Sequence, residues 1–283
     1  MKKVIINADD FGVCAEVNQA IILANSRGVL SSATILTNGD HYDEAINIAK
    51  QRVGKLGIGV HLNLTDGKSL SEEVPICSSE KILNLNFGKL LFLQFSPKIR
   101  NSIEAEYRKQ IEKLMASGVL PDHVDSHNHS HSIPLIFNIA AKLCKEYGIP
   151  GIRLPRELFD RKPAEPLNIV KVLIVNIFSV FNRFSVKRYG LKTTNSLIGI
   201  SHTGNMCLNA IKHGMNLLRG DNISVEIITH PSTAVPSGFY LAKTQTDFLN
   251  NENRISEFEA LVSPEIKDFL DNKKFKLSRF SDL

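Results

Sequence analysis

The chain has 283 residues, 43% of them hydrophobic and 22% charged, the balance of a soluble globular protein with a substantial core. Its net charge of +5 is local, because residues 161–192 hold seven bases and one acid and the remainder sums to −1, which excludes a globally nucleic-acid-binding surface. The four cysteines form no CxxC pair, Asp9-Asp10 cuts short the apolar run Val4-Ile5-Ile6, and no uncharged stretch reaches about 18–20 residues; the expectation is a cytoplasmic protein without export signal or disulfide framework.

Short β-branched runs alternate with helical patterns, which predicts repeated βα units. A strand over Lys3–Ala8 leads into Asp9-Asp10-Phe11-Gly12 and a helix over Ala15–Arg27. A second strand, Ser32–Thr37, precedes a helix over Tyr42–Arg52, and a third, Leu56–Leu62, carries His61 near its end. Residues 65–100 break the rhythm and read as an excursion over the barrel mouth. A helix over Ser102–Ser117 follows, then a strand over His123–Ser126, a histidine-rich run and a helix over Leu135–Tyr147 with Pro134 in its first turn. Gly28, Gly118 and Gly148 read as left-handed helix stops.

The fifth strand is Ile152–Leu154. A second excursion, 161–192, contains an apolar helix over Leu167–Phe184, whose polar positions Asn168, Lys171, Asn176, Ser179, Asn182 and Arg183 form one stripe and leave a broad apolar face. Burial of that face against the barrel or in a homodimer is the favoured expectation; docking on an anionic membrane is the alternative. Strands over Ser196–Ile200 and Ser224–Thr229 complete seven. The prediction is an α/β fold, a single barrel domain over 1–283 with about seven parallel strands and surrounding helices.

Parallel α/β folds place chemistry at the carboxyl ends of their strands. One Asp and two His arriving there from separate strands make a metal site with open positions, able to activate water. Asp9 and Asp10 are adjacent carboxylates that repel unless a cation intervenes, and a bend at the strand end lets both approach one site. His61 ends a glycine-containing strand that permits close approach of a ligand. In an extended chain Asp125, His127, His129 and His131 share a face. His127, first after the strand, reads as a ligand, and Asp125 as the group that fixes an imidazole tautomer. His129 reads as a supporting or substrate-side residue and His131 as part of a solvated loop. His230, before Pro231, suits a general acid. Arg153 pairs with a carboxylate, His202 and Thr203 line the substrate side, and His41, His123 and His213 are structural.

Together Asn7-Ala8-Asp9-Asp10-Phe11-Gly12, Gly59-Val60-His61, Asp125 to His131, Arg153-Leu154-Pro155 and His230-Pro231 resemble the YdjC-like branch of the polysaccharide deacetylase superfamily, over about residues 3–235. The resemblance implies a distorted (β/α) barrel that removes N-acetyl groups from amino sugars with one divalent cation, magnesium or zinc. It implies Asp10, His61 and His127 as ligands, Asp9 as general base and His230 as acid, with Arg153 holding Asp9. The expected partners are an N-acetylated sugar, free or lipid-linked, and a second copy of the chain, with peripheral contact at the inner membrane surface as the alternative. Competing readings are a metal-dependent phosphoesterase and a non-catalytic sugar- or lipid-binding barrel.

Overall fold

Parallel pairing of short buried strands organises the computed structural model, which describes residues 1–71, 76–158, 166–236 and 249–283, with side chains at 166 and 167 left aside. Residues 72–75 of the first expected excursion and 161–165 of the second lie outside the described residues. The strands are β1 (Lys2–Phe11), β2 (Ser32–Ile35), β3 (Gly57–Leu62), β4 (His123–Ser126), β5 (Gly151–Ile152), β6 (Ser196–Ile198) and β7 (Ser224–Thr229), in spatial order β5-β4-β3-β2-β1-β7-β6. Every ladder is parallel, and the open edges meet through isolated bridges, Gly151 with Lys192 and Glu157 with Leu197. Seven strands thus curl into a distorted barrel, as expected. An eighth strand, β8 (Phe275–Leu277), pairs with the start of β1 and was not expected from sequence.

The helices are α1 (Ala15–Arg27), α2 (Tyr42–Gln51), α3 (Phe87–Leu93), α4 (Pro97–Ala116), α5 (Pro134–Glu146), α6 (Pro166–Tyr189), α7 (Leu208–Leu217), α8 (Asn253–Val262) and α9 (Pro264–Asn272). α4 starts earlier than its apolar period suggests, because Ser96 accepts from the Ile99 N–H and Pro97 suits the first turn. Gly118 and Gly148 are left-handed stops, at φ +86 and +70. Gly28 is not: its φ is −122, and the Leu261 carbonyl oxygen lies 2.1 Å from where a Cβ would stand. Glycine is required there by the close approach of α1 to the end of α8.

α6 reverses the usual helix pattern. Its amides face the protein: Asn168 donates to the Ser201 carbonyl (3.2 Å), Asn176 exchanges bonds with the Glu157 backbone (2.9 and 3.0 Å) and Asn182 donates to the Ser132 carbonyl (2.7 Å). Val172 and Val175 are buried, yet Val170, Leu173, Ile177, Val180, Phe181 and Phe184 face out. The expectation that the broad apolar face packs on the barrel is therefore corrected. The turns after β4, β5 and β6 present unpaired backbone groups, and the helix offers its amides to them.

Candidate active site

Two adjacent aspartates reach one site through a local irregularity in β1. The β1–β2 register slips between Ala8 and Phe11, so that Ala8 faces Ala33 while Phe11 faces Ile35. Asp10 sits in the slip at φ +65, a left-handed conformation that Asp tolerates better than most residues. Asp9 and Asp10, which a regular strand would send to opposite faces, both lie buried at the carboxyl end of the barrel.

Asp10 Oδ1 lies 3.0 Å from His127 Nδ1 and 3.6 Å from His61 Nε2, and those two ring nitrogens are 3.3 Å apart. His61 reaches the site from the end of β3. Its other nitrogen, Nδ1, is 2.7 Å from Asp125 Oδ1, which orients the ring with Nε2 toward Asp10. Burial works against charge on His61, but Asp125 outweighs it and the imidazole is raised to about 9. Asp10 is desolvated too, yet His127 and then Arg254 hold its carboxyl well below the usual range.

Arg153, wholly buried just past β5, is the cation of this centre. Its Nη1 and Nη2 donate to Asp9 Oδ2 and Oδ1 (2.8 and 2.7 Å), Nη1 also lies 2.7 Å from Asp125 Oδ2, and Nε donates to Glu226 Oε1 (2.8 Å). Asn7 donates to Asp9 Oδ1 (2.8 Å), and the Thr34 hydroxyl to Asp125 Oδ2 (3.1 Å). Burial alone would raise Asp9, but the guanidinium drives it far below the usual carboxylate range. Asp125 is lowered against the same burial by Arg153 and His61, whereas burial prevails at Glu226 and raises it. His230 follows β7, with Nε2 3.9 Å from Asp9 Oδ2 and its backbone N–H donated to Glu257 Oε2 (2.6 Å). Burial lowers the His230 imidazole, opposed by Asp9 and Glu257.

The histidine-rich run is not extended. After Ser126 the chain enters a tight turn, with Asn128 and His129 at φ +53 and +51, so Asp125, His127, His129 and His131 do not share a strand face. His127 turns to Asp10. His129 is half-buried, and burial, reinforced by Arg153, lowers it to about 3. His131 is fully buried rather than solvated: Nε2–H donates to the Arg153 carbonyl (2.9 Å) and Nδ1 pairs with the Ser126 hydroxyl (2.5 Å). Both bonds serve a neutral ring that pins the backbone of Arg153.

Burial brings His131 down to about 4, below the unfolded value of about 6.5. The unfolded chain therefore binds the extra proton first. The stability held by the neutral ring is complete above pH ~6.5 and is lost as pH falls toward 4, on the order of 3 kcal/mol. Denaturant midpoints between pH 7 and 4 measure this slope, and His131→Gln flattens it; an unchanged slope would exclude His131 as its source.

His202 and Thr203 lie on the turn after β6. The His202 ring meets that of His213 edge-on, 6.3 Å between centroids, and the Thr203 hydroxyl donates to the Gly199 and Ile200 carbonyls. Of the residues left as structural, His123 stacks on Phe280 at 3.9 Å, in space that a Cβ on Gly59 would invade. Among the described residues, charged groups of the centre were also missed. Arg254 and Glu257 come from α8: Arg254 donates to Asp10 Oδ2 (3.2 and 3.3 Å), and Glu257 holds the backbones of His230 and Met206. Asp66 Oδ2 lies 3.7 Å from His127 Nε2, and Glu226 anchors Arg153. A glutamate in mid-strand between Val225 and Ile227 was a readable signal; Arg254 and Glu257 look like a surface pair on any helix.

The donor set of Asp10, His61 and His127 fits a divalent cation. Asp10 Oδ1 is buried and accepts no well-formed hydrogen bond, although two ring nitrogens lie beside it. Carboxylates also outnumber guanidinium groups at the centre, with Asp9, Asp10, Asp125, Glu226 and Glu257 set against Arg153 and Arg254. The neighbouring group of Asp9, His61 and Asp125 already has its cation, the Arg153 guanidinium.

A family model described as YdjC-like protein matches residues 3–272. Curated relatives named carbohydrate deacetylase include one from Clostridium beijerinckii, 30% identical over 99% of this chain and 100% of its own length. Another, from Brevibacillus brevis, is 31% identical over 99% of each. A solved structure of an Enterococcus faecalis protein superposes with TM-score 0.71 at 24% identity, covering 99% of this chain and 98% of that one, and shows the same fold.

Proposed function

The chain belongs to the YdjC-like family and is an enzyme of the carbohydrate deacetylase class, and we propose that it hydrolyses the N-acetyl group of an amino sugar with one divalent cation held by Asp10, His61 and His127. The observation that carries the reading is the convergence of that donor set beside an ionised Asp9 and the His230 imidazole. When bound, the cation supplies Lewis acidity to the acetamide oxygen and acidifies the attacking water.

The remaining chemistry belongs to side chains. Asp9 is kept ionised and oriented by Arg153 and Asn7; Oδ1 accepts from both, whereas Oδ2 accepts from Arg153 alone and keeps a second lone pair. It takes the proton from water as the water oxygen adds to the acetamide carbon. The C–N bond then breaks when the nitrogen gains a proton, which His230 delivers, so that acetate and the free amine leave. Arg153 and Asp125 position Asp9 and His61 and do not touch substrate.

Two imidazoles and one carboxylate favour zinc or another transition ion over magnesium, which prefers all-oxygen sites. A two-metal phosphoesterase would need a further set of free carboxylates; the second set here is bridged by Arg153. Lipid linkage of the sugar is part of the proposal, because α6 sets its apolar face beside the mouth.

The test is acetate release from N-acetylated mono-, di- and lipid-linked sugars by protein stripped of metal and reloaded with zinc or magnesium. Release is expected only after reloading, and His127→Ala is expected to lose both bound metal and release. Full activity in stripped protein, or phosphate release without acetate release, would overturn the reading.

A further inference from the structure

We infer that the outward face of α6 is a docking surface for an anionic lipid bilayer. Val170, Leu173, Ile177, Val180, Phe181 and Phe184 are 48–73% exposed, and at about 100° per residue they fall within one arc of roughly 100°. Six large apolar side chains on one solvent-facing stripe exceed the scattered exposure normal for a soluble surface. Lys187 and Arg188 continue the stripe at its carboxyl end and Arg183 flanks it, all exposed. An apolar stripe bordered by bases is the composition of a helix lying in a lipid interface.

The helix is long and apolar enough to cross a membrane, with 22% of its apolar window buried. Its inward amides argue for lying on the surface instead. Spanning would strip Asn168, Asn176 and Asn182 from the carbonyl and N–H groups they satisfy at the turns after β6, β5 and β4. Those turns surround the mouth of the site, so a bilayer on α6 lies beside it. Phe92 and Phe95 are exposed too, 79% and 69%. They stand on and just after α3, which packs on the same His127–Ser132 turn as α6 does.

Charge selects a bilayer over a second copy. Residues 166–192 contain Lys171, Arg183, Lys187, Arg188 and Lys192 and no acid. Two copies paired along α6, parallel or antiparallel, would set bases against bases, whereas an anionic leaflet complements these bases.

The experiment is flotation of the full-length protein with phosphatidylcholine vesicles, with and without phosphatidylglycerol, at low and high salt. Binding is expected only to the anionic vesicles, and it weakens with salt. Lys187→Gln with Arg188→Gln is expected to lower partitioning on the order of tenfold, and Phe181→Ser with Phe184→Ser to abolish it. These exposed positions leave the melting temperature and acetate release from soluble sugars unchanged, so failure to dock leaves the deacetylase reading standing. No binding to anionic vesicles at low salt would overturn the inference. So would a dimer by light scattering that Phe181→Ser with Phe184→Ser converts to monomer, which assigns the face to a second copy.

Discussion

Replacing His230 by alanine is expected to slow deacetylation of an N-acetylated sugar by about 10²–10⁴, while hydrolysis of an activated aryl acetate continues near its original rate. The two substrates share the attack of water but not the departure of the leaving group. A sugar amine leaves only as the protonated species, whereas an electron-poor phenolate needs no proton. His230 stands where such a proton would be delivered, 3.9 Å from Asp9 Oδ2 and anchored through its backbone by Glu257. Asp9→Asn is the control: it removes the group proposed to accept the water proton, a step common to both substrates, and both rates should fall. Bound metal should persist in His230→Ala, because the atoms that could hold the ion belong to Asp10, His61 and His127. Equal losses on amide and aryl ester would remove His230 from the leaving-group step.

The barrel was legible because its strands are buried on both faces and read as apolar runs between helical periods. What sequence could not show is how a strand end bends. Asp9 and Asp10 share a site through the register slip and the left-handed Asp10, and alternation alone would have separated them. The same limit applies after β4, where two left-handed residues convert an expected row of imidazoles into a turn that divides them between the site and the core. Arg153 was readable as a carboxylate partner, but its link to Glu226 is a long-range contact between β7 and the turn after β5. α6 was misread because amphipathicity gives two faces without saying which is inside; the hydrogen-bonding needs of three turns settle it. Arg254 and Glu257, spaced three apart on α8, carry no local sign of the charges they meet.

Arg153 is the residue whose loss should cost the fold most. In Arg153→Met the carboxylates of Asp9, Asp125 and Glu226 lose their shared cation while remaining buried. Breaking a buried ion pair from one side costs about 3–5 kcal/mol, which at this chain length lowers the melting temperature on the order of 10 °C. Arg153→Lys separates charge from geometry. A single ammonium cannot present parallel N–H groups to both oxygens of Asp9 and also reach Glu226, so stability should be intermediate while kcat falls through misorientation of Asp9. The pair Arg153→Met with Glu226→Met removes one of the stranded anions along with the cation. It should be more stable than Arg153→Met alone, with a coupling energy of about 1–3 kcal/mol. Calorimetric melting of the wild type, Arg153→Met, Glu226→Met and the double variant in one buffer measures this cycle. Additive losses, or an unaltered melt in Arg153→Met, would mean that Arg153 does not balance this cluster, and the account of an ionised, fixed Asp9 would fall with it.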